Sequence, residues 1–171
     1  MLISSPTKPA APVAAAAVAP EGRTVAANVV AYWLAMAALY IVQGALWYYP
    51  AKEKIFDDGL VAPAGIQKMF AGSLMDSFPG TSVAWGFIGI LQGVIVIGLA
   101  VSLLRREFLP GSARPVLMAS MSLALVVFAL LLFGNSMVAN YDSVASLMTY
   151  FGVTAVLIAF VASLQRLGLE R

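Results

Sequence analysis

The chain has 171 residues, 61% of them hydrophobic and only 11% charged. Soluble domains carry about 25% charged residues, so this chain lacks the side chains to clothe a water-facing surface, and its formal net charge of +2 is too small to point to nucleic acid. It contains no Cys and no His, which excludes disulfides, thiolate chemistry, iron–sulfur clusters and histidine-ligated haem. No cofactor held covalently or by His or Cys is therefore expected, and no metal.

Taken in chain order, residues 1–22 are an Ala/Pro-rich tract with little to bury, expected to form a disordered cytoplasmic tail. Pro9, Pro12 and Pro20 interrupt its alanine run, which argues against a secretory signal core. Residues 23–171 are expected to form an all-α transmembrane domain, an antiparallel four-helix bundle. The first span, about 25–49, carries no acidic or basic residue, and some 20 apolar residues suffice to cross a hydrocarbon core roughly 30 Å thick. It closes on Trp47, Tyr48 and Tyr49, rings suited to a membrane interface, with Pro50 behind them.

Residues 51–81 form the one substantial loop. Ile66, Met69, Phe70, Leu74 and Phe78 recur there at helical spacing, predicting a short amphipathic interfacial helix from Pro63 to Ser77. The second span, 82–104, ends at Arg105 and Arg106. The third, 115–138, opens with Pro115 at a first-turn position. The fourth, 143–165, has Asp142 placed to cap it. Short connections make sequential spans antiparallel neighbours.

Lys8, Arg23, Arg105, Arg106, Arg114, Arg166 and Arg171 fall on one side of this topology, against Lys52, Lys54 and Lys68 on the other. Positive charge is retained in the cytoplasm, so both termini are expected to face inward across a bacterial cytoplasmic membrane.

Gly86, Gly89 and Gly93 share one face of the second span, where glycines let helix backbones approach closely in lipid. Packing within the chain is the first reading and a subunit interface the second. Gln43 and Gln92 sit inside spans, where amides turn toward the bundle interior and find partners. Lys52, Glu53 and Lys54 follow the first span; snorkelling lysines account for them, and so does a polar cap meeting a ligand headgroup. Asn135, Asn140, Tyr141 and Asp142 fall on the same side, and Tyr150 and Thr154 are placed to join them around an outer mouth. The ligand set read from the residues is Gln43, Lys52, Glu53, Lys54, Gln92 and Asn135. No catalytic constellation is present: neither a Ser-His-Asp set nor a Gly-rich phosphate loop occurs.

The stretch Gly44-Ala45-Leu46-Trp47-Tyr48-Tyr49-Pro50-Ala51-Lys52-Glu53-Lys54-Ile55-Phe56, followed by Lys68-Met69-Phe70-Ala71-Gly72, resembles the DoxX-like family of small four-helix membrane proteins. The likeness covers roughly residues 25–165, departing at Tyr48-Tyr49-Pro50 and in the absence of an acidic residue from the first helix. Some relatives work with quinone-linked oxidoreductases, so the resemblance implies a role near the quinone pool.

The sequence expectation is an accessory subunit that sits in the lipid bilayer and packs with other membrane proteins or with copies of itself, within a respiratory or other quinone-linked complex. A component binding a quinone or lipid in the outer mouth is the alternative. A small transporter or channel ranks last, because the spans lack the midplane ionisable groups transporters use.

Overall fold

The computed structural model describes the backbone of residues 21–169 and the side chains of 28–164. The expected disordered tail falls outside the described residues except for Glu21 and Gly22, which are helical. The described elements are α1 (Glu21–Lys52), a π-helical turn (Glu53–Asp57), α2 (Ala64–Phe70), α3 (Leu74–Ser77), α4 (Thr81–Leu104), α5 (Pro115–Met137) and α6 (Tyr141–Leu169), with no strand among the described residues. Four stretches, Asn28–Asp57, Thr81–Leu104, Pro115–Met137 and Tyr141–Leu164, are long and apolar enough to cross a membrane. The shortest, with 23 residues, rises roughly 35 Å at 1.5 Å per residue.

The chain divides into two compact units, Met1–Ala35 and Met36–Arg171. In the first, the described backbone is helical and the rings of Tyr32 and Trp33 meet edge to face, 5.6 Å between centroids. The second holds everything described below.

Three boundaries differ from the sequence expectation. Pro50 does not end the first helix, which runs through it to Lys52 and on into the π-helical turn. An ion pair spans the turn: Lys52 Nζ donates to both carboxylate oxygens of Asp57, at 2.9 and 2.8 Å, five residues on, the same separation as the i→i+5 backbone hydrogen bonds of a π-helix. The loop helix expected over 63–77 is two short helices instead. Gly72 adopts φ +76 and breaks the run, a conformation glycine enters without a Cβ clash, and Ser73 restarts it by accepting from Asp76 N at 3.4 Å. Finally, α6 begins at Tyr141, so Asp142 lies in its first turn; the cap is Asn140, whose Oδ1 accepts from Ser143 N at 3.4 Å.

Within the second unit α5 packs between α4 and α6. Leu117, Met121, Ala124, Val127 and Phe128 of α5 are buried, with Ile95 and Leu99 of α4 and Val161 of α6. Gly98 brings α4 close to α5: a Cβ there would collide with the Ser120 hydroxyl, which itself donates to Val116 O at 2.9 Å. The start of α5 is fixed by Glu107, only 2% exposed. Its carboxylate accepts from Val116 N (3.2 Å) and Leu117 N (2.8 Å), satisfying first-turn donors and placing negative charge at the positive end of the helix dipole.

Candidate functional site

The polar residues inside the second unit fall into two kinds, those the chain satisfies and those it does not. Gln43 is of the first kind. Its Oε1 accepts from Trp47 Nε1 at 3.0 Å and its Nε2 donates to Thr154 Oγ1 at 3.4 Å. All three residues are at most 1% exposed, and Trp47 packs against Phe128 with centroids 4.6 Å apart and the rings tilted by 51°. This row ties α1 to α5 and α6 through groups that would be costly if left alone in hydrocarbon. A second tie joins α1 to α4: Ser102 Oγ donates to Leu99 O at 2.7 Å, so at the 3.0 Å contact with Tyr40 the phenol is the donor.

Lys52 and Lys54, two residues apart in sequence, have opposite surroundings. Lys52 is exposed and paired with Asp57, and Glu53 is exposed beside it. Lys54 is buried at 6% exposure, its ammonium 4.1 Å from the centroid of the Trp85 ring. That is a cation–π contact, and the Trp85 Nε1 donates to Asp58 Oδ2 at 3.2 Å. The Lys54 stem lies on Gly89, where a Cβ would come within 2.8 Å of the Lys54 Cβ. Gly86 likewise faces the Leu60 carbonyl at 2.9 Å and Gly93 the Ile55 Cδ1 at 3.1 Å. The glycine face of α4 is thus filled by the π-helical turn and the residues just after it, in the same chain.

Beside that face lies a cavity of about 420 Å³. Its floor is α4 from Thr81 to Ile88, one wall is α5 from Leu130 to Asn135, and Ile66, Met69, Phe70 and Met75 cover it from α2 and α3. The cover is held in place by loop hydrogen bonds. Ala62 N donates to Ser82 Oγ at 3.3 Å, Gln67 Nε2 to Ala62 O at 2.6 Å, and Asn140 Nδ2 contacts Met69 Sδ at 3.7 Å.

None of the sixteen lining residues is charged, and the polar ones are Thr81, Trp85 and Asn135. Trp85 is committed to Asp58. Asn135 donates to Leu131 O at 2.9 Å and accepts from Asn140 Nδ2 at 3.1 Å. Thr81 differs: it is 7% exposed and its Oγ1 has no hydrogen-bond partner among the described residues.

Of the six ligand residues read from the sequence, only Asn135 lines this cavity. Gln43 is in the core row, Lys52 and Glu53 are on the surface, and Lys54 is against Trp85. Gln92 is buried at 3% exposure with its Oε1 unpartnered among the described residues, but it lies off the cavity wall. The expected outer mouth is partly assembled elsewhere, as a shallow groove in which Asn135, Asp142 and Tyr150 meet; Thr154 is turned into the core instead. Sequence reasoning missed Thr81, since a threonine at a helix start reads as an ordinary terminus.

Comparison of the chain with protein-family models, with curated proteins and with solved structures finds no match. The resemblance to DoxX-like proteins therefore rests on the residues quoted for it alone.

Proposed function

We propose that this chain is a non-catalytic multi-pass membrane protein whose working site is the cavity between α2, α3, α4 and α5, where it holds a neutral lipid-like molecule. In this reading the four apolar helices cross a bacterial cytoplasmic membrane as an antiparallel bundle with both termini inside, and α2 and α3 lie at the outer interface. The observation that carries it is the cavity wall: about 420 Å³ of half-open space lined by sixteen residues, none ionisable. Ligand sites are commonly concave, mainly apolar, and fitted with a few placed polar groups.

A native mass spectrum of the protein released from mild detergent tests the proposal. The expected result is an adduct of lipid-like mass that disappears in Ala84→Phe, whose ring fills the cavity. A native chain with no adduct at any detergent condition overturns it.

A second reading, an accessory subunit of a respiratory or other quinone-linked complex, is supported by α6, the least enclosed of the four long helices. Tyr141, Met148, Val153 and Val156 are exposed along it. The α4 glycines no longer support that reading, because this chain already covers them. Co-purification of another chain, lost on Val156→Arg, is the expected result if α6 is the docking face.

A further inference from the structure

The shallow groove where α5 hands over to α6, about 430 Å³ in volume, has walls unlike those of the cavity. Asp142, Ser143, Ser146 and Tyr150 of α6 line it against Leu131 and Asn135 of α5. We infer that this groove binds the primary ammonium group of a membrane amphiphile, with Asp142 as the counter-charge and the apolar tail lying along Leu131. The inference rests on the reading that the long helices cross a bilayer, and it stands apart from what occupies the cavity.

Charge is the first reason. Asp142 is the only acidic or basic residue between Arg114 and Arg166, and no lysine or arginine lines the groove. Its carboxylate makes no ion pair and accepts no hydrogen bond among the described residues. Capping does not occupy it either, since Asn140 Oδ1 takes the Ser143 N–H. The dipole of α6 sets about half a positive charge at this end, which the full charge of a carboxylate outweighs. A cation is therefore drawn to the groove and an anion repelled.

Hydrogen bonding is the second reason. The Ser143 and Tyr150 hydroxyls have no partner among the described residues, and Asn135 Oδ1 has spent one of its two lone pairs on Asn140 Nδ2. Asp142 and Tyr150 are exposed, so their polar atoms face open space. A primary ammonium brings three donors to these acceptors, and a trimethylated one brings none. Depth is the third. Asp142 is the second residue of the 24-residue span Tyr141–Leu164, which rises about 36 Å against a hydrocarbon core of roughly 30 Å. The carboxylate thus stands at headgroup level, while Leu147 and Tyr150 of the same groove lie up to about 12 Å deeper. A charged head above and an apolar tail below describe an amphiphile.

Adduct titration by native mass spectrometry tests this on the full chain in nonionic detergent. The probes are dodecylamine, dodecanol, lysophosphatidylethanolamine and lysophosphatidylcholine. Dodecylamine is expected to bind saturably and roughly tenfold more weakly to Asp142→Asn, as loss of one hydrogen bond to a charged group implies. Asp142→Glu should keep the affinity, and Ser146→Phe, whose ring fills the groove, should abolish it. Dodecanol should bind native and Asp142→Asn alike, and Ala84→Phe, which fills the cavity instead, should leave the amine adduct unchanged. Preference for the ethanolamine lipid over the choline lipid, lost in Asp142→Asn, makes a bilayer lipid the source of the ammonium. Binding of dodecylamine alone makes the source a free long-chain amine. Equal binding of dodecylamine to native and Asp142→Asn overturns the inference, provided that both unfold at the same temperature. So does a choline lipid that binds as tightly as its ethanolamine counterpart.

Discussion

Two polar regions of the second unit make a useful pair: the row Gln43–Trp47–Thr154 and the cavity wall at Thr81. In the row, three buried residues from α1 and α6 use one another's donors and acceptors, and Phe128 closes the aromatic side. At the wall, the chain brings a hydroxyl to 7% exposure and supplies it with no partner among the described residues. Removing a polar group from water costs free energy unless a hydrogen bond compensates it. The row is therefore structural glue, complete in itself, while the wall holds a hydroxyl left without a partner among the described residues.

Breaking the row should have the largest effect. Trp47→Ala removes a side chain that is 1% exposed, orphans the Gln43 carbonyl and opens a large void, and is expected to destabilise by about 3–5 kcal/mol. Titrating unfolding with sodium dodecyl sulfate in mixed micelles would measure it. Gly86→Val comes next. Its Cβ would meet the Leu60 carbonyl oxygen at 2.9 Å, a backbone atom unable to rotate away, so overpacking should cost about 1–3 kcal/mol. It should also loosen the π-helical turn, seen as faster amide exchange over residues 53–61. Gln43→Leu keeps the volume but strips the partners of Trp47 and Thr154, for roughly 1 kcal/mol by the same titration.

How much of this was legible beforehand follows from the same contrast. The long spans could be read because a run without charge has one cheap solvent, and the structure carries four helices long and apolar enough to cross a membrane. A row partner could be suspected too, since Gln43 is an amide inside a span; its bonds to Trp47 and Thr154 could not, being set by helix rotation. The Lys52–Glu53–Lys54 run read as one polar cluster because neighbours in sequence look alike. The helix continues past Pro50, so side chains two positions apart lie on opposite faces: Lys52 goes to Asp57 in the open and Lys54 to Trp85 in the interior. The cavity was illegible for a different reason. Its wall is made of Ile66, Phe70, Ile88 and Leu131, residues of the same types that face lipid elsewhere on these helices, and apolar composition does not distinguish an inner concavity from an outer face.

The smallest predicted effect sharpens the comparison most, because it reverses sign. Thr→Val exchanges a hydroxyl for a methyl at nearly constant shape. At Thr154 the change removes the acceptor of Gln43 Nε2 and leaves a buried donor unpaired, so it should destabilise by about 0.5–1 kcal/mol. At Thr81 the hydroxyl removed has no partner to lose among the described residues, and relieving its desolvation should stabilise the lipid-free protein by up to about 1 kcal/mol. Thermal unfolding in lipid-free detergent measures both variants under one condition. Equal shifts of the two variants, in either direction, would mean that Thr81 is as well satisfied as Thr154 and that the wall differs from the row only in position.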